Sequence, residues 1–168
     1  MKKNELVTYD PLLTRSGFSL AELITVIAIM GLIAAISTPT FIEWRQNLSY
    51  KQAASDIANA LKTAKSKTIT YNQQHGVRLI PADRSYQFAR YSATTNQWTY
   101  FGSKGVLSDR ISLSLNTAAA SAVSPTPNIR FNTNCSTFNN YSIGISDTST
   151  ARYTISVERS GRIKVIKK

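Results

Sequence analysis

The 168-residue chain has one cysteine and one histidine, so no disulfide can close within it and a Cys/His zinc site would lack ligands. Any Ser/His or Cys/His scheme would depend on His75 alone. No G-x-S-x-G, HExxH or glycine-rich phosphate loop is present, and the seven glycines are scattered singly. No catalytic residue, metal site or cofactor is therefore expected, and the chain reads as a non-enzyme. Acidic residues are also scarce: nine Asp+Glu stand against 20 Lys+Arg, a formal net charge of +11. Such an excess favours a polyanionic partner, either nucleic acid or an acidic lipid surface. The length allows one modest core plus an appendage rather than two full domains.

Charge is scarcest from Phe18 to Thr38, where Glu22 is the one formally charged residue. As a helix this run is about 31 Å long at ~1.5 Å per residue, enough to cross a bilayer. The residues ahead of it hold Lys2, Lys3 and Arg15 against Glu5 and Asp10, which places that end on the cytoplasmic side and the bulk of the chain outside. A secretory signal cut after its apolar core is the ordinary alternative, with Ala34, Ala35 and Ser37 as small residues at its end. Two features count against it. Arg15-Ser16-Gly17 precedes the apolar run, and Glu22 sits five residues into it. A lone charge there costs about 2.5 to 3.5 kcal/mol on insertion scales, so the acid needs a reason.

The run R-S-G-F-S-L-A-E-L-I closely resembles the prepilin signature of type IV pilins and type II secretion pseudopilins. The resemblance implies cleavage between Gly17 and Phe18 by a membrane-embedded prepilin peptidase. It also implies N-methylation of the new Phe18 amine and retention of the apolar helix. Glu22 matches the family's glutamate at the fifth mature position, its charge offset in a filament by the Phe18 amine of a neighbouring pilin subunit. The plainer reading of Glu22 is a carboxylate snorkelling to the headgroups. On this basis residues 1–17 form a cleaved leader, 18–39 an inner-membrane and assembly helix, and 40–168 a periplasmic or extracellular globular domain. Pro39, which lacks an amide donor, is expected to bend or locally melt the helix.

Beyond Pro39, Tyr50, Ala54, Ile57, Ala58, Leu61 and Ala64 recur at three- and four-residue spacing and predict a helix to about Ser66 or further, its apolar stripe packed on a sheet. After His75 the period falls to two. Strands are predicted at 76–80, 86–91, 97–101, 111–115, 129–132, 141–145, 153–157 and 163–166, antiparallel and joined by hairpins. The small, polar, proline-bearing stretch 116–128 reads as a surface loop. The fold class is α+β: a long N-terminal transmembrane helix packed by its C-terminal half on antiparallel sheets. That order of elements resembles the GspH/FimT branch of the pilin-like proteins. The cysteine pair of many major pilins is missing, which points to a minor pilin or pseudopilin.

Ahead of Thr40 lie Lys2, Lys3 and Arg15 and the acids Glu5, Asp10 and Glu22, so 17 bases and six acids remain beyond it. The charge excess belongs to the exported part. Its densest block is the last ten residues, RSGRIKVIKK, with Arg159, Arg162, Lys164, Lys167 and Lys168 and no acid among them. Alternation on both sides of Ser160-Gly161 predicts a hairpin over 153–168 with cations around its tip. Arg162 and Lys164 are expected on one strand face, about 7 Å apart. Gly161-Arg162-Ile163-Lys164 is similar to the G-R-x-R element of FimT-type minor pilins, with lysine in place of the final arginine and its bidentate fork. That resemblance implies sequence-independent DNA binding in natural transformation, with the five basic residues as phosphate contacts. The alternatives are a structural GspH-like pseudopilin of a type II secretion system, a minor pilin priming pilus assembly, and a basic tail that aids solubility or docks on an acidic neighbour. A second stretch, with Arg84, Tyr86, Phe88 and Arg90 on one strand face, could stack bases. Core aromatics flanked by arginines at the strand ends are the preferred reading of it.

Overall fold

The computed structural model describes residues 17–116, 126–147 and 150–168. The chain divides into two units, Met1–Ile42 and Glu43–Lys168, each treated separately below.

In the first unit, Ser19 starts helix α1 (Leu20–Tyr71). Its hydroxyl accepts from the Glu22 amide (3.2 Å) and its carbonyl from the Leu23 amide (3.2 Å). Ser19 is thus the N-cap and Glu22 the third helical residue, the S-x-x-E spacing of a capping box. The helix contains a stretch long and apolar enough to cross a membrane, and its large apolar side chains from Leu20 to Ile36 are exposed. Helical structure runs without interruption through Pro39, so the expected local melting does not occur. A helix-interior proline forfeits one backbone bond, but propagation from long helical stretches on both sides carries the helix across. One turn earlier, the Thr38 hydroxyl donates to the Ala34 carbonyl (2.6 Å).

In the second unit the helix buries Tyr50, Ala53, Ala54, Ile57, Ala58, Ala60, Leu61, Ala64 and Thr68. This is the stripe predicted from spacing, widened by Ala53, Ala60 and Thr68. Alanines make up most of the stripe, while Ile57 and Leu61 supply its bulk. The buried Thr68 hydroxyl is satisfied by the Ala64 carbonyl (2.9 Å). The helix ends where Asn72 turns left-handed (φ 47°), with Gln73 N–H bonded to Thr68 O and Asn72 N–H to Ile69 O. That is a Schellman motif with asparagine in glycine's usual place.

All eight predicted strands form: β1 (His75–Ile80), β2 (Ser85–Ser92), β3 (Gln97–Val106), β4 (Ser112–Asn116), β5 (Ile129–Phe131), β6 (Tyr141–Ser146), β7 (Ala151–Val157) and β8 (Ile163–Lys167). They make two antiparallel four-stranded sheets, ordered β3-β2-β1-β5 and β4-β6-β7-β8. Sequential hairpins account for four of the pairings. The β1–β5 and β4–β6 pairings join distant segments. The core lies between the helix stripe and the inner faces: Val77, Leu79, Ile129 and Phe131 from one sheet, Leu113, Tyr141, Ile143, Ile145, Ile155 and Val157 from the other. Tyr86 and Phe88 pack against it, as the core reading of that strand expects. In the 116–128 stretch Asn116 closes β4, and Asn128 Oδ1 accepts from the Leu79 amide (2.9 Å). Residues 117–125, the body of the expected loop, lie outside the described residues.

Candidate functional site

The two groups of residues singled out in the sequence fall in different units. In the first, Phe18 is exposed one residue ahead of the N-cap Ser19, and Gly17 precedes it outside the helix. Glu22 in the first turn lies where the helix macrodipole favours negative charge. This is a structural use for the acid that sequence reasoning did not consider; the signal, Ser19-x-x-Glu22, was present.

In the second unit the C-terminal hairpin pairs β7 with β8 from Val157↔Ile163 to Tyr153↔Lys167. The Gly161 amide donates to the Glu158 carbonyl (2.8 Å) and the Glu158 amide to the Arg162 carbonyl (2.9 Å). With Gly161 at φ 74°, this is a three-residue loop whose last residue is left-handed. Glycine is required twice over, because a Cβ there would also overlap the Cys135 carbonyl oxygen. Neighbouring segments clamp the tip. The Thr137 amide donates to the Arg159 carbonyl (2.9 Å), the Arg159 amide to Asn140 Oδ1 (2.8 Å), and Lys65 Nζ to the Gly161 carbonyl (3.0 Å). Arg159 and Arg162 are therefore presented, exposed, on a rigid turn.

The five predicted basic residues do not form one cluster. Arg162 precedes β8 rather than lying within it. Lys164 Nζ sits 2.9 Å from Glu158 Oε1, across the hairpin from its register partner Ser156. Glu158 stands one residue outside the acid-free block, so reading the block alone missed it. Hydrogen bonding from Lys164, with the added charges of Lys164 and Arg162, holds the Glu158 carboxyl below the usual carboxylate range. Lys167 and Lys168 lie at the other end of the strand, beside Tyr153 and Arg152, about 14 Å from the tip over four residues of strand rise.

A loop residue extends the tip. Arg159 Nε donates to the Phe138 carbonyl (3.2 Å), and the Phe138 ring carries the Arg130 guanidinium 4.4 Å from its centroid. Arg130 also hydrogen-bonds the Tyr141 hydroxyl, while burial raises the pKa of that phenol. Sequence reading had no local signal for this contact, since Arg130, Phe138 and Arg159 lie on three separate segments. Elsewhere, a cleft of about 400 Å³ is lined by Tyr50, Arg84, Asp109, Arg110 and Asp147 among others. Its charges are matched, with Arg84 3.3 Å from Asp109, so it offers no net attraction to a polyanion.

The family model for the type II transport protein GspH matches residues 53–161, more than half of the chain. A fimbrial protein of Pseudomonas aeruginosa is 31% identical over 80 residues, 48% of this chain; the chain spans about half the length of the curated relatives it matches. Solved structures that share the fold include a minor pseudopilin, a minor pilin and a GspH. The minor pseudopilin EpsH from the type 2 secretion system of Vibrio cholerae has a TM-score of 0.59 at 13% identity, over 71% of this chain and 96% of its own. The type IV minor pilin FimU of P. aeruginosa gives 0.57 at 10%, over 73% and 92%. GspH of E. coli gives 0.57 at 14%, over 73% and 90%. The helix, the two antiparallel sheets and the family match lead to one conclusion: the chain belongs to the GspH family of pilin-like proteins.

Proposed function

We propose that this chain is a minor type IV pilin that holds DNA by its phosphates and takes part in DNA uptake. Cleavage between Gly17 and Phe18 by a prepilin peptidase leaves a mature chain beginning one residue before the N-cap. The apolar helix then holds it in the bacterial inner membrane, with the globular unit in the periplasm, until it joins other pilin subunits in a surface pilus. N-methylated Phe18 and Glu22 serve assembly, the carboxylate facing a neighbouring subunit's amine. The supporting observation for DNA is the clamped hairpin tip, which displays Arg159 and Arg162 without a carboxylate partner in the described salt bridges. Guanidinium forks can take phosphate oxygens two at a time without reading sequence. Lys164 joins them only when it leaves Glu158, and Lys167 and Lys168 form a separate, secondary contact.

The test is a fluorescence-anisotropy titration of the detergent-solubilised chain against duplex DNA across a salt series. Arg159→Ala/Arg162→Ala should weaken binding and make the log–log salt slope shallower by about 1.8, the counterion release of two phosphate contacts. An unchanged slope in that variant eliminates the tip. The family match, which carries the name of a type II transport protein, favours a second reading: a structural pseudopilin of a secretion filament whose basic surface meets other subunits. Deletion of the gene separates the two. Loss of protein secretion with normal transformation supports the second reading, and loss of transformation with normal secretion supports the first.

A further inference from the structure

The face of the β3-β2-β1-β5 sheet turned away from the core carries a group of aromatic and basic side chains. Register assigns it. Val77 pairs with Phe88 and Phe88 with Phe101 on the inner face, so the pairs Tyr91↔Trp98 and Ala89↔Tyr100 lie on the outer one. The Tyr91 and Trp98 rings are 5.5 Å apart, and the Tyr91 hydroxyl donates to Asn96 Oδ1, which anchors the first ring. Arg78, also on the outer face, holds its guanidinium 5.3 Å from the Tyr100 centroid. Arg130 is directly paired with Gly76 on this face and sits over Phe138. Tyr91, Trp98 and Tyr100 are half-buried, and no carboxylate occupies any outer-face position from Gly76 to Ile80, Gln87 to Tyr91 or Trp98 to Tyr100. Phe138 ties Arg130 to the hairpin tip, its carbonyl accepting from Arg159 Nε, while Pro127 is seated against Gly76 between Arg130 and the Ala89↔Tyr100 pair.

We infer that this outer face binds single-stranded DNA, its bases stacking on Trp98 and Tyr100 and its phosphates meeting Arg78 and Arg130. The inference rests on the DNA-binding reading above for the class of polymer, and adds the strandedness and the surface. The reasons are chemical. Rings flanked by arginines on an acid-free sheet suit a polymer with both flat faces and negative charge, which a neutral glycan lacks. Trp98 and Tyr100 stand two residues apart on β3, about 6.8 Å along the strand. That exceeds the ~3.4 Å repeat of stacked nucleotides, so each ring would take its own splayed base. Bases in a duplex are already stacked and would leave the rings vacant.

The experiment uses the full chain in detergent micelles with Trp44→Phe, which leaves Trp98 as the sole indole. Trp98 emission is followed during titration with a 20-nucleotide oligothymidine, a duplex of equal length and a neutral glucan oligomer. Quenching by the oligothymidine alone supports the inference. Tyr100→Ala should then weaken that titration by about 5- to 160-fold, the range for loss of one base–aromatic stack, and Tyr100→Phe should restore it. Trp98 emission that stays constant while anisotropy reports bound oligothymidine overturns the inference, as does equal quenching by duplex or by the glucan. The tip variant keeps the two readings apart. If Arg159→Ala/Arg162→Ala abolishes duplex binding but quenching by oligothymidine is absent throughout, the platform fails and the tip stands. If quenching persists while the tip variant changes no DNA affinity, the tip fails and the platform stands.

Discussion

Single residues set several properties here that substitution can measure. Gly161 is held at φ 74° with the Cys135 carbonyl oxygen where a side chain would begin. Gly161→Ala should therefore cost at least about 2 kcal/mol, combining the left-handed penalty with a backbone overlap, and thermal or urea unfolding will show it. His75 is buried, and its Nδ1–H donates to the Gln73 carbonyl (2.8 Å). Burial lowers its pKa, Lys67 and Arg90 lower it further, and the Gln73 bond opposes them. The folded state thus binds the proton less readily than the unfolded chain. Stability should be full above the unfolded value of about 6.5 and decline below it until the lowered folded value is passed. Urea midpoints measured from pH 7.5 downward should show this loss, and His75→Gln should flatten it. Glu158 has the opposite chemistry and the same direction: its lowered carboxyl pKa contributes stability at neutral pH that disappears as pH falls through that value. Its ion pair is about 40% exposed on both sides, so that contribution is small.

At the level of elements, the helix stripe and the hairpin can be tested separately. Ile57 is wholly buried between the helix and the sheets, and Ile57→Ala should destabilise the globular unit by about 2 to 5 kcal/mol in denaturant unfolding. In the hairpin, one of the predicted phosphate contacts, Lys164, is engaged by Glu158. Glu158→Gln should free that lysine and tighten duplex binding at low salt by up to about tenfold, with the salt slope steeper by about 0.9. The secondary structure was largely legible beforehand, because period 3.6 and period 2 are local properties of the chain and each strand, even the Ser/Leu-built β4, carries its own alternating or β-branched and aromatic run. The continuation of α1 through Pro39 was not legible, since the lost bond at Pro39 is outweighed by helix on either side. Strand β2 was half legible. Tyr86, Phe88 and Arg90 share one face with the two rings on the core, as period-2 alternation predicts, but Arg84 does not belong to that face: it precedes the strand at φ 48° and pairs with Asp109.

Over the whole molecule, charge and distance decide which cations act together. At physiological salt the Debye length is about 8 Å, shorter than the roughly 14 Å of strand separating Lys167 from the tip. Lys167→Ala/Lys168→Ala should accordingly change DNA affinity less than twofold at 0.15 M salt, against a much larger loss for Arg159→Ala/Arg162→Ala in the same anisotropy assay. By itself the sequence determined the apolar segment with its R-S-G-F-S-L-A-E motif, the helix-then-strands order, the apolar stripe and the basic excess beyond Thr40. Each of these is carried by neighbours in the chain or by simple counts. The tertiary structure alone decided that the strands divide into two sheets and that Lys164 is neutralised by Glu158. It also brought Arg130, Phe138 and Arg159 together and set the Arg78 guanidinium over the Tyr100 ring. Those outcomes depend on strand order, register and loop packing, which bring together residues far apart in sequence, and no local pattern encodes such meetings.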